Sequence, residues 1–452
     1  MALRPIGPID RAWLALESDR TPMHVGGLMT FALPDDADDG FVGRLVESLR
    51  GQRDVVAPWN WKIAGSLPRL LSPGWRDDPA FDLDYHLRHS ALPRPGGERE
   101  LGVLVSRLHS NPLDLRRPPW ELHLVEGLSE GRFAMYFKIH HALIDGVSAM
   151  QMLLRLTTPA PDMRTPIAPW TLRRGHGTGP PAPGPALLRD VPGIAAGSVR
   201  AARRLVADLA EDPGMLVPPQ APRSVLASPM SHQRRFATQI LDLERVRVAG
   251  SIAGATVNDV VLCLCGTTLR RYLTESGDLP AASMIAAVPM SLRSDRDTRI
   301  GSRIGMLSLP LGTDVEGAAE RLRAIAASSA LAKARARRLH AEGQLLRMAV
   351  AASPSALAQF LPWGGGLLPA GFNLGISNVR GPAERRYLSG ARMLGLFPAS
   401  LLLHGTALNI TCVSYDGYLD FGFTGARDVL PHLQRLAVHL DEALDELLDD
   451  LG

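Results

Sequence analysis

A stretch rich in proline and glycine, residues 158–232, divides this sequence into two sections. It contains "TPAPDMRTPIAPW" and "GHGTGPPAPGPALL", and such a composition breaks regular structure and favours an exposed connector. With 452 residues, the chain is also too long for one ordinary hydrophobic core. We therefore expect two domains, residues 1–157 and 233–452, joined by a connector over 158–232. Residues 195–212 can form a helix there, which fits a solvated linker better than a membrane surface.

Both sections mix strand-like and helix-like segments. Aromatic and branched residues predict strands, and apolar residues at helical spacing predict helices. The predicted strands are residues 24–33, 132–141, 283–293, 391–397, 401–413 and 418–424. The predicted helices are residues 41–51, 98–110, 255–273, 316–340 and 428–448. This mixture indicates an α/β protein.

The composition limits the possible partners and compartments. The net charge is only +3, so charge alone gives no sign of a nucleic-acid partner. Three cysteines, Cys263, Cys265 and Cys412, provide neither a disulfide framework nor a thiolate metal site, and a reducing cytoplasm is the default. The N-terminus lacks the apolar core of a signal peptide, and no run reaches the ~18 apolar residues of a membrane span. We expect a soluble or peripheral protein.

The stretch "KIHHALIDGVSAM", residues 138–150, carries the most specific chemical pattern in the sequence. On a strand over 132–141, successive side chains alternate between the two faces, so His140 and His141 point apart, which argues against a shared metal ion. His141 then ends the apolar face and is the candidate general base, while His140 supports it. Asp145 begins the next helix, where an N-cap role and a functional role are both open.

The spacing that runs from His140 to Gly146 resembles the HHxxxDG signature of acyl-CoA-dependent acyltransferases related to chloramphenicol acetyltransferase. "NPLDLRRPPWELHLVEGL", residues 111–128, resembles the PLDxxRPLWE segment of bacterial wax ester synthase/diacylglycerol acyltransferases. The matching residues include Pro112, Asp114, Arg117, Trp120 and Glu121. "TVNDV", "VPMSLR" and "GISNVRGP" resemble further segments of that family, so the resemblance covers nearly the whole chain.

This resemblance implies an α+β sandwich of two chloramphenicol acetyltransferase-like domains, with the active site and a substrate tunnel at their interface. It also implies an O-acyltransferase that moves a long-chain acyl group from acyl-CoA to diacylglycerol or to a long-chain alcohol. His141 would take the proton of the acceptor hydroxyl, which attacks the thioester without a covalent intermediate. Acyl-CoA would be a co-substrate, and no cofactor is implied.

Other residues receive roles from the same resemblance. Asn258 would donate a hydrogen bond to the oxyanion, although capping of its helix together with Asp259 is equally open. For Asp259 we favour capping. Asp145 would orient the histidine loop, with Arg293 as its partner. Gly146 would permit close packing or an unusual dihedral angle beside the site.

The remaining segments have less definite roles. Ser302 stands where the family usually has asparagine, and its shorter side chain leaves that substrate contact open. Arg117 and Glu121 are able to pair across their segment, which we interpret mainly as a rigid structural turn. The apolar, glycine-rich stretch 356–376 suits an acyl tunnel, a membrane contact or a core strand. The resemblance also implies a peripheral protein at the cytoplasmic face of the inner membrane or on lipid droplets.

Other catalytic templates are missing from the sequence, which holds no Gly-x-Ser-x-Gly elbow, no His-Glu-x-x-His and no P-loop. Two alternatives to the leading hypothesis stay open. The first is a condensation or polyketide-associated acyltransferase that uses a carrier-bound donor. The second is a non-catalytic lipid-binding or lipid-droplet protein on an inactive scaffold. The intact histidine motif argues against the second alternative.

Overall fold

The computed structural model describes residues 3–64, 74–173, 221–291, 304–338 and 371–452. The chain begins with β1 (Arg4–Pro5), α1 (Pro8–Leu16), β2 (His24–Ala32), α2 (Phe41–Arg50), β3 (Trp61–Ala64) and β4 (Gly74–Asp77). It continues through α3 (Leu83–His86), β5 (Leu87–Ala91), α4 (Glu98–Ser110), β6 (Trp120–Leu128), β7 (Arg132–His140) and α5 (Gly146–Leu156). A 3-10 turn at Pro169–Thr171 follows.

The second section opens with a 3-10 turn at Val225–Ala227. Then come β8 (Arg234–Asp242), α6 (Leu243–Ala253), α7 (Val257–Ser276), β9 (Ile285–Ser291), β10 (Ile304–Pro310) and α8 (Ala318–Arg338). The chain ends with β11 (Leu374–Arg380), β12 (Tyr387–Leu388), β13 (Ala391–Ala399), β14 (Leu408–Tyr415), β15 (Tyr418–Ala426) and α9 (Gln434–Leu451).

A six-stranded sheet of order β12-β13-β2-β7-β6-β5 forms the first half, beside a small sheet of order β1-β4-β3. The strand β7 shows why this sheet is buried on both faces. Phe133 and Phe137 on one face join the core that includes α2, whereas Ala134 and Tyr136 on the other face join a core that includes α4. The sheet therefore lies between two hydrophobic layers.

A second six-stranded sheet, of order β10-β9-β11-β14-β15-β8, carries the other large core. Its central helix α7 is apolar on nearly all sides, and every residue from Val260 to Cys265 is fully buried. A helix that is apolar all round must be covered by other elements. Residues of α6, α8 and α9 belong to the same core and cover it. The architecture is mixed α/β, as the sequence predicts.

The two sheets interlock, because β12 and β13 come from the second section in sequence but complete the first sheet. The strand β13 pairs antiparallel with β2, so that Phe397 lies opposite Leu28. From the other side, Ser110 at the end of α4 accepts a hydrogen bond from the main-chain N–H of Arg234 in β8 at 2.8 Å. The domain boundaries 1–157 and 233–452 stay a prediction. In the structure, β12 and β13 come from the second of these sections but belong to the sheet of the first.

Two of the expected elements begin several residues later than the pattern predicts. The strand expected over 401–413 begins only at Leu408, after a turn in which Gly405 has a φ of +84°. The helix expected over 428–448 begins only at Gln434. Pro431 prevents a continuous helix from residue 428, because proline disfavours the helical conformation for the residue before it. The helix expected over 195–212 lies outside the described residues.

In the part of the chain that the structure describes, no single helix is long and apolar enough to cross a membrane, and only the bent pair of α6 and α7 passes that test on length and composition when the two are combined.

Candidate active site

The histidine pair lies where β7 ends. The strand β7 runs antiparallel beside β2, with His140 opposite His24, and it stops at His140. The main-chain N–H of His141 donates to the carbonyl of Met23 at 2.9 Å, just before β2 begins. The strand is therefore one residue shorter than the sequence pattern predicts, and the loop before β2 holds His141 in place.

In this buried position, Nδ1 of His140 accepts a hydrogen bond, and Nε2 has no hydrogen-bond partner among the described residues. The main-chain N–H of Ala142 donates to His140 Nδ1 at 3.0 Å, so Nδ1 carries no proton and the neutral ring is protonated on Nε2. That Nε2 lies 3.4 Å from Glu17 Oε2. The Glu17 carboxylate also accepts a hydrogen bond from the main-chain N–H of Met23. His140 is therefore suited to hold the loop and not to accept a proton from a substrate.

The ring of His141 has a different environment. The indole of Trp13 on α1 stacks on it, with ring centroids 4.3 Å apart and an angle of 30° between the planes. Burial lowers the pKa of His141, and a hydrogen bond from the ring to its own main-chain carbonyl and the charge of Asp145 offset this only in part. The lowered pKa favours the neutral ring, in which one nitrogen keeps its lone pair, and no other described residue forms a hydrogen bond to this ring. The ring is a neutral base with one free nitrogen.

A buried ion cluster lies two residues before the histidines. Lys138 Nζ is 3.0 Å from Glu121 Oε2 on the neighbouring strand β6, and it donates to the carbonyls of Leu108 and Asn111 at 3.0 Å each. Burial by itself would raise the pKa of Glu121, but a hydrogen bond from His123 and the charge of Lys138 lower it to about 2. The cluster therefore fixes β7 against β6 and against the end of α4.

The proline-rich motif before β6 is a structural element whose contacts differ from the expected ones. Arg117 and Glu121 do not pair: the Arg117 guanidinium lies 4.2 Å from the ring centroid of Tyr85, and Glu121 faces Lys138. The two side chains of the expected pair lie four residues apart where the strand begins, and an extended backbone carries them away from each other. Trp120, fully buried, donates from Nε1 to the carbonyl of Trp59 at 2.8 Å.

The start of the same motif forms a turn. Asp114 accepts two hydrogen bonds from the guanidinium of Arg116, at 2.9 and 3.0 Å, and its carbonyl accepts one from the main-chain N–H of Arg117 at 3.0 Å. Pro112 is exposed just before this turn. These contacts agree with the rigid structural turn that we favour from the sequence.

A row of buried polar side chains continues from His140. His24 Nε2 donates to the carbonyl of His109 at 2.9 Å, and His109 Nε2 donates to the carbonyl of Ser400 at 2.9 Å. The hydroxyl of Tyr136 donates to His109 Nδ1 at 2.7 Å. Burial lowers the pKa of His109 to about 3, so the ring is neutral at physiological pH. The row connects β2, α4 and β7 to the second section without a buried charge.

The end of the histidine loop is held by a helix cap. Asp145 Oδ1 accepts a hydrogen bond from the main-chain N–H of Ser148 at 2.7 Å, so Asp145 is the N-cap of α5. Gly146 does not have the expected packing role, since a Cβ at this position would meet no atom within 4 Å. A side chain would therefore fit at residue 146, and close packing does not explain the glycine. Arg293, the partner expected for Asp145, lies outside the described residues.

Helix α7 begins with a capping box that does not involve Asn258. The hydroxyl of Thr256 accepts from the main-chain N–H of Asp259 at 3.3 Å, and Asp259 Oδ2 accepts from the main-chain N–H of Thr256 at 3.0 Å. Lys333 Nζ on α8 lies 3.7 Å from Asp259 Oδ1. Capping is thus the role of Thr256 and Asp259. Asn258 is half-buried, and its side chain makes no hydrogen bond to any described residue.

The structure brings some of the predicted residues together and not others. His140, His141 and Asp145 form one continuous loop, but no described contact joins Asn258 to it. Ser302 and most of the stretch 356–376 lie outside the described residues. Within the described ranges, no group of three or more histidine, cysteine, aspartate or glutamate side chains is arranged to hold a metal ion.

Sequence reasoning misses the two residues that contact the histidines from α1 and from its end. Trp13 stacks on His141, and Glu17 faces His140. A signal for them exists, because residues four apart lie on the same face of a helix and "WLALE" places an aromatic and an acidic residue at that spacing. The sequence alone does not tell which surface that face contacts.

Comparison with known proteins identifies the framework around this site. Residues 6–261 match the wax ester synthase/diacylglycerol acyltransferase catalytic domain, and residues 300–448 match the C-terminal domain of the same family. A Mycobacterium tuberculosis protein, provisionally named a diacylglycerol O-acyltransferase, is 41% identical over 98% of this chain and 97% of its own length.

Two solved structures extend the comparison. The wax ester synthase/diacylglycerol acyltransferase from Marinobacter aquaeolei VT8 is 35% identical, with a TM-score of 0.79 over 99% of this chain and 100% of that chain. The first condensation domain of the calcium-dependent antibiotic synthetase is 19% identical, with a TM-score of 0.57 over 99% of this chain and 95% of that chain. The latter similarity concerns the fold alone.

Proposed function

This chain belongs to the wax ester synthase/diacylglycerol acyltransferase family and is an acyltransferase, and on this basis we propose that it transfers a long-chain acyl group from acyl-CoA to the hydroxyl of a diacylglycerol or of a long-chain alcohol. The names of its relatives support both acceptors. The Mycobacterium relative is named for diacylglycerol, and the Marinobacter protein is named for both wax esters and diacylglycerol.

The observation that carries this proposal is the state of the His141 ring. Its lowered pKa favours the neutral form, which keeps one unprotonated nitrogen, and no other described residue forms a hydrogen bond to that ring. The neighbouring His140 has Nδ1 occupied by the N–H of Ala142 and Nε2 directed at Glu17. Of the two histidines, only His141 has a nitrogen that can take a proton.

In the proposed reaction, His141 Nε2 removes the proton of the acceptor hydroxyl as its oxygen attacks the thioester carbonyl carbon. The resulting tetrahedral oxyanion collapses, the carbon–sulfur bond breaks, and the CoA sulfur takes the proton from Nε2. One ester and one free thiol result, with no covalent enzyme intermediate and no cofactor. A general base of this kind contributes ~10²–10⁴-fold to the rate. The lowered pKa of His141 favours its neutral form at pH 7.

We assign the oxyanion contact to Asn258. Its side chain makes no hydrogen bond within the described part of the chain, and it lies in the first turn of α7, where main-chain N–H groups and the helix dipole favour negative charge. Asp145 acts on the histidine loop by capping α5. Arg293 and Ser302 keep their proposed roles as partner of Asp145 and as substrate contact.

We also infer a peripheral location at the cytoplasmic face of the inner membrane or on lipid droplets. Both proposed substrates carry long alkyl chains, which partition into a lipid phase in proportion to the apolar surface they bury. The apolar stretch 356–376 is the segment that we assign to this contact. Flotation of the protein with phospholipid vesicles, and its loss on replacement of Trp363 by glutamate, would test this assignment.

The activity is tested by acyl transfer from palmitoyl-CoA, with hexadecanol and dioleoylglycerol offered in parallel as acceptors. We expect ester product from at least one acceptor, loss of the product in His141→Ala, and retention in His432→Ala, which changes an exposed histidine far along the chain. The product ratio identifies the preferred acceptor. Full activity in His141→Ala, or no product from either acceptor, would contradict the proposal. Transfer only from palmitate bound to an acyl carrier protein would favour the carrier-dependent alternative.

A further inference from the structure

Helix α1 contacts both histidines through side chains one helical turn apart. The indole of Trp13 stacks on the ring of His141, with centroids 4.3 Å apart. Glu17, the residue that follows the helix, lies 3.4 Å from His140 Nε2. Residues four apart project from the same face of a helix, so one face of α1 is directed at the pair.

The position of this face is fixed by contacts on both sides of it. At the start of α1, the guanidinium of Arg11 donates to the carbonyl of Ile6 at 3.0 Å, and Leu14 is buried in the first core. At its end, the Glu17 carboxylate accepts the main-chain N–H of Met23. The carbonyl of Met23 in turn accepts the main-chain N–H of His141 at 2.9 Å. Met23 therefore connects the end of α1, which carries the indole, to the main chain of His141, which carries the imidazole.

We propose that Trp13 is a positioning residue, whose indole, stacked on the His141 ring, holds that ring in the orientation from which it takes the proton of the acceptor hydroxyl. This inference rests on the proposed role of His141 as the general base. A histidine side chain has several staggered rotamers, and each of them directs the two ring nitrogens to different positions. The flat indole covers one face of the ring and opposes rotation away from that geometry.

The charged and titratable groups around His141 do not provide this constraint. His140 on β7 is held by Ala142 and Glu17, and Asp145 uses its carboxylate to cap α5. Among the described residues, no side chain donates a hydrogen bond to the His141 ring. The aromatic stack is thus the contact that restricts the ring, and Trp13 acts on the reaction through His141 without touching the reacting atoms.

The test compares Trp13→Leu, which keeps an apolar side chain but removes the flat ring, with Trp13→Phe, which keeps a flat ring. Misplacement of a reacting group by about 1 Å can cost ~10²-fold. We therefore expect kcat of Trp13→Leu to fall roughly 10-fold or more, KM for acyl-CoA to change less than about twofold, and Trp13→Phe to restore most of kcat. Ala12→Ser, on the exposed side of α1, is the matched control.

A second readout does not depend on turnover. The ¹⁵N shifts of the His141 ring, assigned by their loss in His141→Asn, report which nitrogen carries the proton. We expect a single tautomer, the same one in the wild type and in Trp13→Phe, and a mixture of both tautomers in Trp13→Leu. Should Trp13→Leu fail to fold, Trp13→Met, whose flexible thioether fills the same space, replaces it.

The outcomes separate this inference from the proposed function. If His141→Ala is inactive while Trp13→Leu keeps the wild-type kcat and tautomer, His141 remains the base and the positioning role of Trp13 is refuted. A loss of kcat that Trp13→Phe does not restore, with an unchanged tautomer, also refutes it, because it indicates a merely structural role. If His141→Ala keeps full activity, the proposed function itself fails.

Discussion

Replacement of Asp420 by asparagine should stabilise the fold at neutral and alkaline pH. Asp420 lies on β15 and is buried, and its Oδ2 accepts the main-chain N–H of Leu396 in β13 at 2.7 Å. Its Oδ1 is buried without a hydrogen-bond partner among the described atoms. Burial raises the pKa of Asp420 from 3.8 to about 7. The native fold therefore prefers the protonated carboxyl, at a place where the two sheets are joined.

The sign and the size of the effect follow from this raised pKa. Between pH 3.8 and about pH 7, the unfolded chain has lost the Asp420 proton and the native chain has kept it, so stability falls as the pH rises and then levels off. In that range, the free energy of unfolding of the wild type decreases by about 1.4 kcal/mol for each pH unit. Asparagine is neutral throughout and keeps the hydrogen bond from Leu396. The advantage of Asp420→Asn should thus grow by about 3 kcal/mol between pH 5 and pH 8.

The assay is urea unfolding of the wild type and of Asp420→Asn at pH 5, 6, 7 and 8, with the exposed Asp441→Asn as the control. Only the difference between variant and wild type is informative. Burial lowers the pKa of His86 to about 4 and that of His109 to about 3. Because the unfolded chain takes up these protons first, the free energy of unfolding of every variant decreases as the pH falls below about 6.5. These histidines affect all three proteins equally. A difference that stays constant from pH 5 to pH 8 would refute the reasoning.

Two further substitutions test the packing around the site. Lys138→Met leaves Glu121 without its closest cation and should lower the free energy of unfolding by about 3–5 kcal/mol, which urea unfolding measures as a lower midpoint. An unchanged midpoint would contradict this, because it would mean that Arg88 and His123 replace Lys138 fully. Gly422→Ala should strongly reduce the thermal midpoint, because its Cβ would lie 1.8 Å from the carbonyl oxygen of Pro398. In Gly425→Ala, the new Cβ would lie 2.7 Å from a methyl group of Leu433, which can move, so the thermal midpoint should fall less. Equal midpoints of the two variants would contradict the close approach of β15 to β13 at Gly422.

Features set by local sequence are the ones that the sequence predicts well. The apolar spacing predicts α4 over 98–110, and the structure places it at Glu98–Ser110. Asp145 is the N-cap of α5, which is one of the two roles that the sequence leaves open for it. The α/β class, the family and the acyltransferase class are confirmed by the comparisons with known proteins. The roles of individual site residues stay predictions.

Pairings between distant segments are the features that the sequence does not reveal. The strand β13 is recognisable from its pattern, but its place beside β2 depends on contacts between residues hundreds of positions apart. The wrong Arg117–Glu121 pair has the same origin. Glu121 lies opposite Lys138 in the β6–β7 ladder, and this register is set by the sheet and not by nearness in sequence.

The lysines show how a three-dimensional role can be hidden in composition. The chain has only three lysines among its 49 basic residues, and arginine supplies the rest. Each of the three pairs with a carboxylate that is buried in the structure. The pairs are Lys62 with Asp78 at 2.7 Å, Lys138 with Glu121 at 3.0 Å and Lys333 with Asp259 at 3.7 Å. An ammonium group is more compact than a guanidinium group, which suits such confined positions.

The most direct test of the central claim compares His141→Asn with His140→Asn in palmitoyl-CoA-dependent ester formation. Asparagine at residue 141 keeps a polar amide but offers no base, and at residue 140 its oxygen can accept the N–H of Ala142 in place of Nδ1. We predict that His141→Asn lowers kcat/KM by ~10²–10⁴-fold, while His140→Asn loses no more than about 10-fold. Wild-type activity in His141→Asn, or a larger loss in His140→Asn, would contradict the assignment of His141 as the base.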